Sequence, residues 1–304
     1  MSRRVSVIVN AGSGVGNDSA LIERLRALFD AAGADADIRL ARGAAEIRTA
    51  VEAALARAPD VIVAGGGDGT VSSIASALAG SPVPLGVLAL GTLNHFARDA
   101  GVPADLESAV QTIVDGRRVE VDIAEVNGRV FINNSGLGLY PDIVRHRERQ
   151  QRRLGRGMWP AFFWAALAAL RRYPFLHVRL VVDGKDRVRR TPFVFIGNNE
   201  YRMDGFAIGE RTVLDRGRLS LYVAQRPGRL KLLMLALRAL TGRLRQARDF
   251  DAMGATEIVI ESRRKRLHVS ADGEVTSMTP PLRYRIRPRA LAVMLPDRAR
   301  ESGI

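Results

Sequence analysis

Short apolar runs alternate with longer stretches of helical period through the first third of the chain. Val5 to Asn10 reads as a buried strand, Ser19 to Ala32 as an amphipathic helix, Asp37 to Leu40 as a short strand and Ala44 to Arg57 as a second helix. Val61 to Ala64 and Pro84 to Ala89 follow as strands, with helices over Val71 to Ala79 and Leu106 to Asp115. Strands alternating with helices predict parallel βαβ units in an open, doubly wound α/β sheet. Such sheets bind ligands beyond the carboxyl ends of their strands.

After Arg118 the period changes from helical to alternating. Arg118 to Val126 and Val130 to Ser135 predict a hairpin around Asn127-Gly128, and Leu176 to Val182 with Val188 to Ile196 predict another around Asp183-Gly184. Arg218 to Ala224, Glu257 to Glu261, Leu267 to Ala271 and Leu282 to Ile286 read as further strands. Helices are expected near Tyr140–Arg149, Met158–Arg172 and Leu230–Thr241. The expected division is a nucleotide-binding α/β domain over 1–118 and an antiparallel, β-rich sandwich domain over 119–288, with a cleft between them. The last strand, Ala290 to Leu295, is expected to carry 289–304 back to the first domain.

Composition narrows the chemistry. The chain has 304 residues and no cysteine, which excludes disulfides, thiolate nucleophiles and cysteine-ligated metals. Four histidines, scattered, argue against a histidine metal cluster. A formal charge of +14, nearly all from arginine, draws the chain to polyanions: nucleic acid, acidic lipid surfaces or phosphorylated substrates. The longest apolar stretch, Met158 to Leu170, is about 13 residues and too short to span a bilayer. No signal peptide is visible, so a cytoplasmic or membrane-peripheral protein is expected.

Candidate chemistry lies in the turns after the strands. Gly65-Gly66-Gly67-Asp68-Gly69-Thr70 follows Val61–Ala64 directly, with Thr70 and Val71 opening a helix. Glycines let backbone N–H groups approach a phosphate, and a helix N-terminus favours anions. Asp68 does not attract phosphate; it suits a cation or a hydroxyl beside it. Asn10-Ala11-Gly12-Ser13-Gly14 and Leu90-Gly91-Thr92-Leu93-Asn94 occupy matching positions after other strands. No Walker-type lysine motif exists, and Asn17 stands where a dinucleotide fingerprint needs its last glycine.

Four blocks together carry a resemblance: Asn10-x-Gly12-Ser13-Gly14, Gly66-Gly67-Asp68-Gly69-Thr70, Gly91-Thr92-x-Asn94-x-Phe96-Ala97-Arg98 and Asp272-Gly273-Glu274. In this order, across nearly the whole chain, they resemble the bacterial diacylglycerol kinase catalytic-domain family, soluble lipid kinases related to sphingosine kinases. The resemblance implies ATP as phosphate donor, with Asn10, Gly12, Ser13, Gly14, Gly66, Gly67, Asp68, Gly69, Thr70, Gly91, Thr92 and Asn94 as nucleotide-binding residues. It implies Glu274 as general base on the lipid hydroxyl, supported by Asp272, and Asp68 as a Mg²⁺ ligand and third catalytic residue. It also implies a lipid substrate; the positive charge adds an anionic membrane surface, basic stretches without interleaved aromatics argue against a nucleic acid partner, and a homodimer is left open.

Three positions depart from the family pattern. His95 stands where members often carry an aspartate, which shifts magnesium duties toward Asp122. The turn Leu40-Ala41-Arg42 lacks the usual threonine. In Leu214-Asp215-Arg216-Gly217-Arg218 an arginine replaces the aspartate of a structural magnesium site, leaving Asp215 as the candidate ligand. Trp159, Phe162, Phe163 and Trp164, flanked by arginines, read either as a bilayer-touching surface or as an interdomain helix. The basic segment Arg145–Arg156 suits anionic head groups or a solvated helix face. Two other functions remain open on sequence alone: an NAD kinase, which shares the Gly-Gly-Asp-Gly-Thr turn and is echoed by Asn198-Asn199-Glu200, and a non-catalytic nucleotide- or nucleic-acid-binding protein.

Overall fold

The computed structural model describes residues 2–11, 18–138, 176–201, 211, 213–224 and 250–297. The expected helices near 140–149, 158–172 and 230–241, the tryptophan-rich segment, the basic segment 145–156 and the candidate residues Gly12, Ser13 and Gly14 lie outside these. The chain divides into two compact units, 1–123 with 288–304, and 124–287.

The first unit alternates strand and helix: β1 (Arg3–Asn10), α1 (Asp18–Ala31), β2 (Ala34–Ala41), α2 (Gly43–Leu55), β3 (Val61–Gly66), α3 (Asp68–Leu78), β4 (Leu85–Ala89), α4 (His95–Asp99) and α5 (Leu106–Asp115), followed by the start of β5 (Arg117–Val126). The strands run parallel in the order β2-β1-β3-β4. Val5, Val7, Val9, Val61 and Val63 meet Leu21, Leu25 and Phe29 of α1 and Ile113 of α5 in one buried core. Leu21, Leu25 and Phe29 recur every fourth residue, the spacing that places them on one helix face. The strand β16 (Leu282–Leu295) pairs Val293 with Leu85 of β4. At its kink Arg289 has φ 51°, and its N–H donates to Asp122 Oδ1 at 2.9 Å. Asp122 is therefore a buried carboxylate spent on backbone geometry.

The second unit is antiparallel β. It contains β6 (Arg129–Phe131), β7 (Asn134–Gly138), β8 (Leu176–Val182), β9 (Lys185–Thr191), β10 (Phe193–Asn198), β11 (Leu219–Ala224), β12 (Phe250–Ala255), β13 (Glu257–Ser262), β14 (Leu267–Ala271) and β15 (Glu274–Met278). One sheet runs β12-β11-β10-β7-β14-β15, and a second layer joins β9, β8, β13 and the first half of β16. Alternate residues such as Leu137, Val194, Ile196, Leu221 and Val269 from the first sheet, and Val178, Leu180, Ile258, Ile260 and Tyr284 from the second, share one core. Burial pushes the Tyr284 hydroxyl well above the ordinary phenol value, against a hydrogen bond with Ser135.

Two expected strands each divide in two. Val130–Ser135 splits at Ile132-Asn133 into β6 and β7, and Val188–Ile196 splits at Pro192, whose missing N–H cannot serve a ladder. The strand β12 and the edge strand β15 are absent from the sequence reading, because Asp251-Ala252-Met253-Gly254 and Glu274-Val275-Thr276-Ser277 carry little apolar signal.

Candidate active site

The glycine turns of the first unit meet at the carboxyl ends of its parallel strands. Asn10 ends β1, Gly66 ends β3 and Ala89 ends β4, all on one sheet edge. The turns after β3 and β4 are packed together. A Cβ on Gly91 would lie 2.4 Å from Gly67 Cα, so no larger residue fits while the turns keep this approach. Leu90 N–H donates to Gly66 O at 3.1 Å across the same junction.

The helix after the triple-glycine turn begins three residues earlier than its apolar pattern predicts. Gly67 caps α3 in extended conformation, and its carbonyl accepts from Thr70 N and Val71 N. Asp68 thereby occupies the first helical turn, where a carboxylate is favoured by the helix dipole. Its Oδ1 accepts from Phe96 N at 3.3 Å, which ties α3 to α4.

The members of this group divide by accessibility. Gly69 and Thr92 are exposed, while Asn10, Gly67, Asp68, Gly91 and Asn94 are half-buried. Thr70 is buried, and its side chain lies over Gly66, where a Cβ would meet Thr70 Oγ1 at 2.5 Å. Asn94 holds its own turn. Its Oδ1 accepts from Gly91 N at 3.1 Å, and its Nδ2 donates to Gly91 O at 2.8 Å and Ala89 O at 3.2 Å, with the residue itself at φ 47°. Its geometry gives it loop-shaping work, which the motif alone does not reveal. His95, the departure from the family pattern, lies 3.4 Å from the Arg98 guanidinium through Nδ1.

In the second unit the hairpin between β14 and β15 carries Asp272 (φ 45°) and Gly273 (φ 85°) at its tip. Asp272 Oδ2 accepts from Ile132 N at 2.8 Å; Oδ1 accepts from Asn133 N at 2.8 Å and Asn134 N at 3.1 Å. Its carboxylate thus holds the corner between β6 and β7. Asp183 does the same at another Asp-Gly turn, where one oxygen accepts from Thr256 N, Thr256 Oγ1 and Glu257 N. Glu274, the first residue of β15, points into more open surroundings, with its side chain 57% exposed. Arg129, at the start of β6, donates through Nη2 to Glu274 Oε2 at 2.6 Å and through Nη1 to Thr276 Oγ1. Sequence reading missed Arg129. Only its place after the Asn127-Gly128 turn hints at an oriented side chain, and its partner lies 145 residues away.

The carboxylates differ in how well they suit the implied magnesium. Asp68 fits as a single ligand: it is a partly exposed carboxylate in a glycine turn at a helix N-terminus, and Mg²⁺ takes one or two carboxylates plus phosphate oxygens and water. Asp122 is 1% exposed and bound to Arg289 N, which does not fit. Asp215 adjoins Arg216, whose guanidinium lies 3.3 Å from Glu200 and whose N–H donates to Asn199 Oδ1; a cation already fills this neighbourhood. Among the described residues no cluster of three or more acids or histidines is arranged to hold a metal. Asn198 and Asn199, the echo of NAD kinases, are buried: Asn198 donates to Ile132 O, and Asn199 O accepts from Ser220 Oγ.

Fold and site define a two-unit protein, a parallel α/β unit with phosphate-type glycine turns and an antiparallel β unit with an acidic hairpin. A family model described as the diacylglycerol kinase catalytic domain matches residues 4–126, and one described as the YegS C-terminal NAD kinase beta sandwich-like domain matches residues 142–295. The chain belongs to the diacylglycerol kinase catalytic-domain family and is a kinase. It is 30% identical over 302 residues to a "Probable lipid kinase YegS-like" of Pseudomonas fluorescens, covering 98% of this chain and 97% of the relative. A protein of the same name from Klebsiella pneumoniae is 39% identical over 135 residues, 44% of this chain and 45% of the relative. A crystal structure of a diacylglycerol kinase from Bacillus anthracis superposes with a TM-score of 0.71 at 21% identity, covering 98% of each chain, and supports the fold.

Proposed function

We propose that this kinase transfers the γ-phosphate of ATP to the hydroxyl of a diacylglycerol-like or ceramide/sphingoid lipid at an anionic membrane surface, where it associates peripherally on the cytoplasmic side. The observation that carries the donor half is the contact of Gly67 with Gly91, which brings two glycine turns together beside Asp68 at a helix N-terminus. Phosphoryl transfer rests on positioning and charge neutralisation rather than covalent chemistry. Backbone N–H groups of Gly67 and Gly69, with the Thr92 hydroxyl, are suited to orient the phosphates, while the Gly91 N–H is held by Asn94 and shapes the second turn. Asp68 would hold Mg²⁺, which supplies neutralisation of phosphate charge when bound.

Glu274 takes the acceptor hydroxyl's proton. A carboxylate within hydrogen-bond reach of an alcohol can do so as the new bond forms. Arg129 fixes its rotamer, and Asp272 fixes the hairpin that presents it. The names borne by relatives support lipid over NAD as acceptor, as do the buried, structurally engaged Asn198 and Asn199. The charge of +14 suits an anionic interface. Among the described residues no helix is long and apolar enough to cross a membrane.

The test is a radiolabelled-ATP screen over diacylglycerol, ceramide and sphingoid bases in mixed micelles, with and without anionic phospholipid, beside an assay with NAD. Label is expected in a lipid, with stimulation by the anionic component. Turnover of NAD without any lipid turnover would reverse the assignment. Glu274→Gln and Asp68→Asn should each lower kcat by about 10² or more, general-base and charge contributions being of that order. Wild-type rates in either would remove that residue from the mechanism.

A further inference from the structure

Arg211 is 4% exposed and belongs to none of the motifs. Its guanidinium donates through Nη1 to Ile132 O at 2.7 Å and Asn198 O at 3.2 Å, and through Nη2 to Asn133 Oδ1 at 2.7 Å. It lies 5.2 Å from the centroid of the Tyr201 ring. These are contacts to the same corner, Ile132 to Asn134, that Asp272 holds through three N–H groups.

The two grips act on one peptide group. Ile132 O and Asn133 N belong to the same amide; the oxygen accepts from Arg211, and the N–H donates to Asp272 Oδ1. A cation at the carbonyl end and an anion at the amide end align with that peptide's dipole. Hydrogen bonds in series polarise one another, and more so away from water. Asn198 strengthens the arrangement, since its Nδ2 also donates to Ile132 O and its N–H donates to Asn133 O. Asp272 N in turn donates to Asn134 O at 2.9 Å, closing the loop onto the hairpin that begins β15 at Glu274.

We infer that Arg211 is a positioning residue for this kinase: through the Ile132–Asn133 peptide it fixes Asp272, and through the Asp272-Gly273 turn it fixes the direction of Glu274. The inference rests on the assignment of Glu274 as the base. Arg211 is buried against this corner rather than open to a substrate, so the loss is expected on the chemical step. Misplacement of a reacting group by about 1 Å costs on the order of 10²-fold.

The experiment compares Arg211→Met, Arg211→Lys, Asn133→Ala and Glu274→Gln in the full chain, using dioleoylglycerol in anionic mixed micelles with ATP. The readouts are kcat per folded molecule, KM for both substrates, and amide hydrogen exchange of Ile132–Asn134. Arg211→Met is expected to lower kcat about 10- to 100-fold with either KM changed less than about 3-fold, and to raise exchange at Asn133. Arg211→Lys, which keeps the charge and a donating nitrogen but not the guanidinium fork, should recover part of kcat. Asn133→Ala cuts a single contact and gives a milder form of the same effect if Arg211→Met does not fold. An inactive Glu274→Gln beside wild-type kcat in folded Arg211 variants would overturn the inference while leaving the base in place. A fully active Glu274→Gln would overturn the base assignment instead. Unchanged exchange at Ile132–Asn134 would refute the clamp whatever the activities.

Discussion

Replacing Asp272 by asparagine separates the two jobs a carboxylate could have in this hairpin. Asparagine keeps the size of the side chain and tolerates the left-handed backbone at φ 45°, so no backbone strain enters. One oxygen remains and can still serve Asn133 and Asn134. The other becomes an NH₂ group facing Ile132 N–H, two donors where one donor met an acceptor. One charge-assisted hydrogen bond is lost outright, the other two lose their charge, and a partly buried N–H is left without a partner. Taking about 1.5–3 kcal/mol for a bond to a charged group and its unsatisfied donor, the expected loss is about 3 kcal/mol. For a unit of this size that corresponds to a fall in Tm of roughly 6–12 °C. Thermal unfolding and a urea series with unchanged m-value measure it. A variant that melts within about 2 °C of the parent, with kcat alone reduced, would show that Asp272 acts on the reaction directly and that its three backbone bonds do not hold the corner.

Gly91→Ala must separate the two glycine turns, because its Cβ would sit 2.4 Å from Gly67 Cα; KM for ATP should rise at least about tenfold with a loss of about 1–3 kcal/mol of stability, whereas Gly69→Ala, with nothing within 4 Å, should fold like the parent. Equal behaviour of the two alanines, in ATP titration and melting, would contradict the packed-turn geometry. Burial alone would raise the Asp183 carboxyl, but hydrogen bonds from Glu257 and Thr256, aided by Arg218, outweigh it and hold the group below its ordinary value. Stability from this ionised carboxylate is therefore full above about pH 4 and is lost as pH falls through the lowered folded value. Asp183→Asn should flatten that acid limb in chemical denaturation at stepped pH, and an unchanged limb would assign the effect elsewhere.

The α/β alternation of the first unit is legible because burial of a parallel strand needs a near-continuous apolar run, and Val61–Ala64 and Val5–Val9, the latter broken only by Ser6, supply it. The hairpins at Asn127-Gly128 and Asp183-Gly184 are legible because both turns need positive φ, which these residues accept. The start of α3 is not legible because Asp68-Gly69-Thr70 has no apolar period, and the cap that begins the helix is Gly67's backbone. Short α4 is illegible because five residues, with Phe96 and Ala97 buried, are too few to show a helical period, and edge strand β15 because none of its residues is fully buried.

The sequence by itself determined the phosphate turns and their order, the division into an α/β and a β half, and the family resemblance. These are local features, each written within a few residues: glycines where a Cβ is forbidden, apolar runs where a sheet is covered. Tertiary structure decided what each acid is free to do. Asp122 is spent on Arg289 N, 167 residues away, and Asp272 on Ile132 to Asn134, up to 140 residues away, whereas Asp68 and Glu274 keep exposure to solvent. A carboxylate's role depends on which donors the fold brings to its oxygens, and when those donors lie more than a hundred residues distant no local pattern records them.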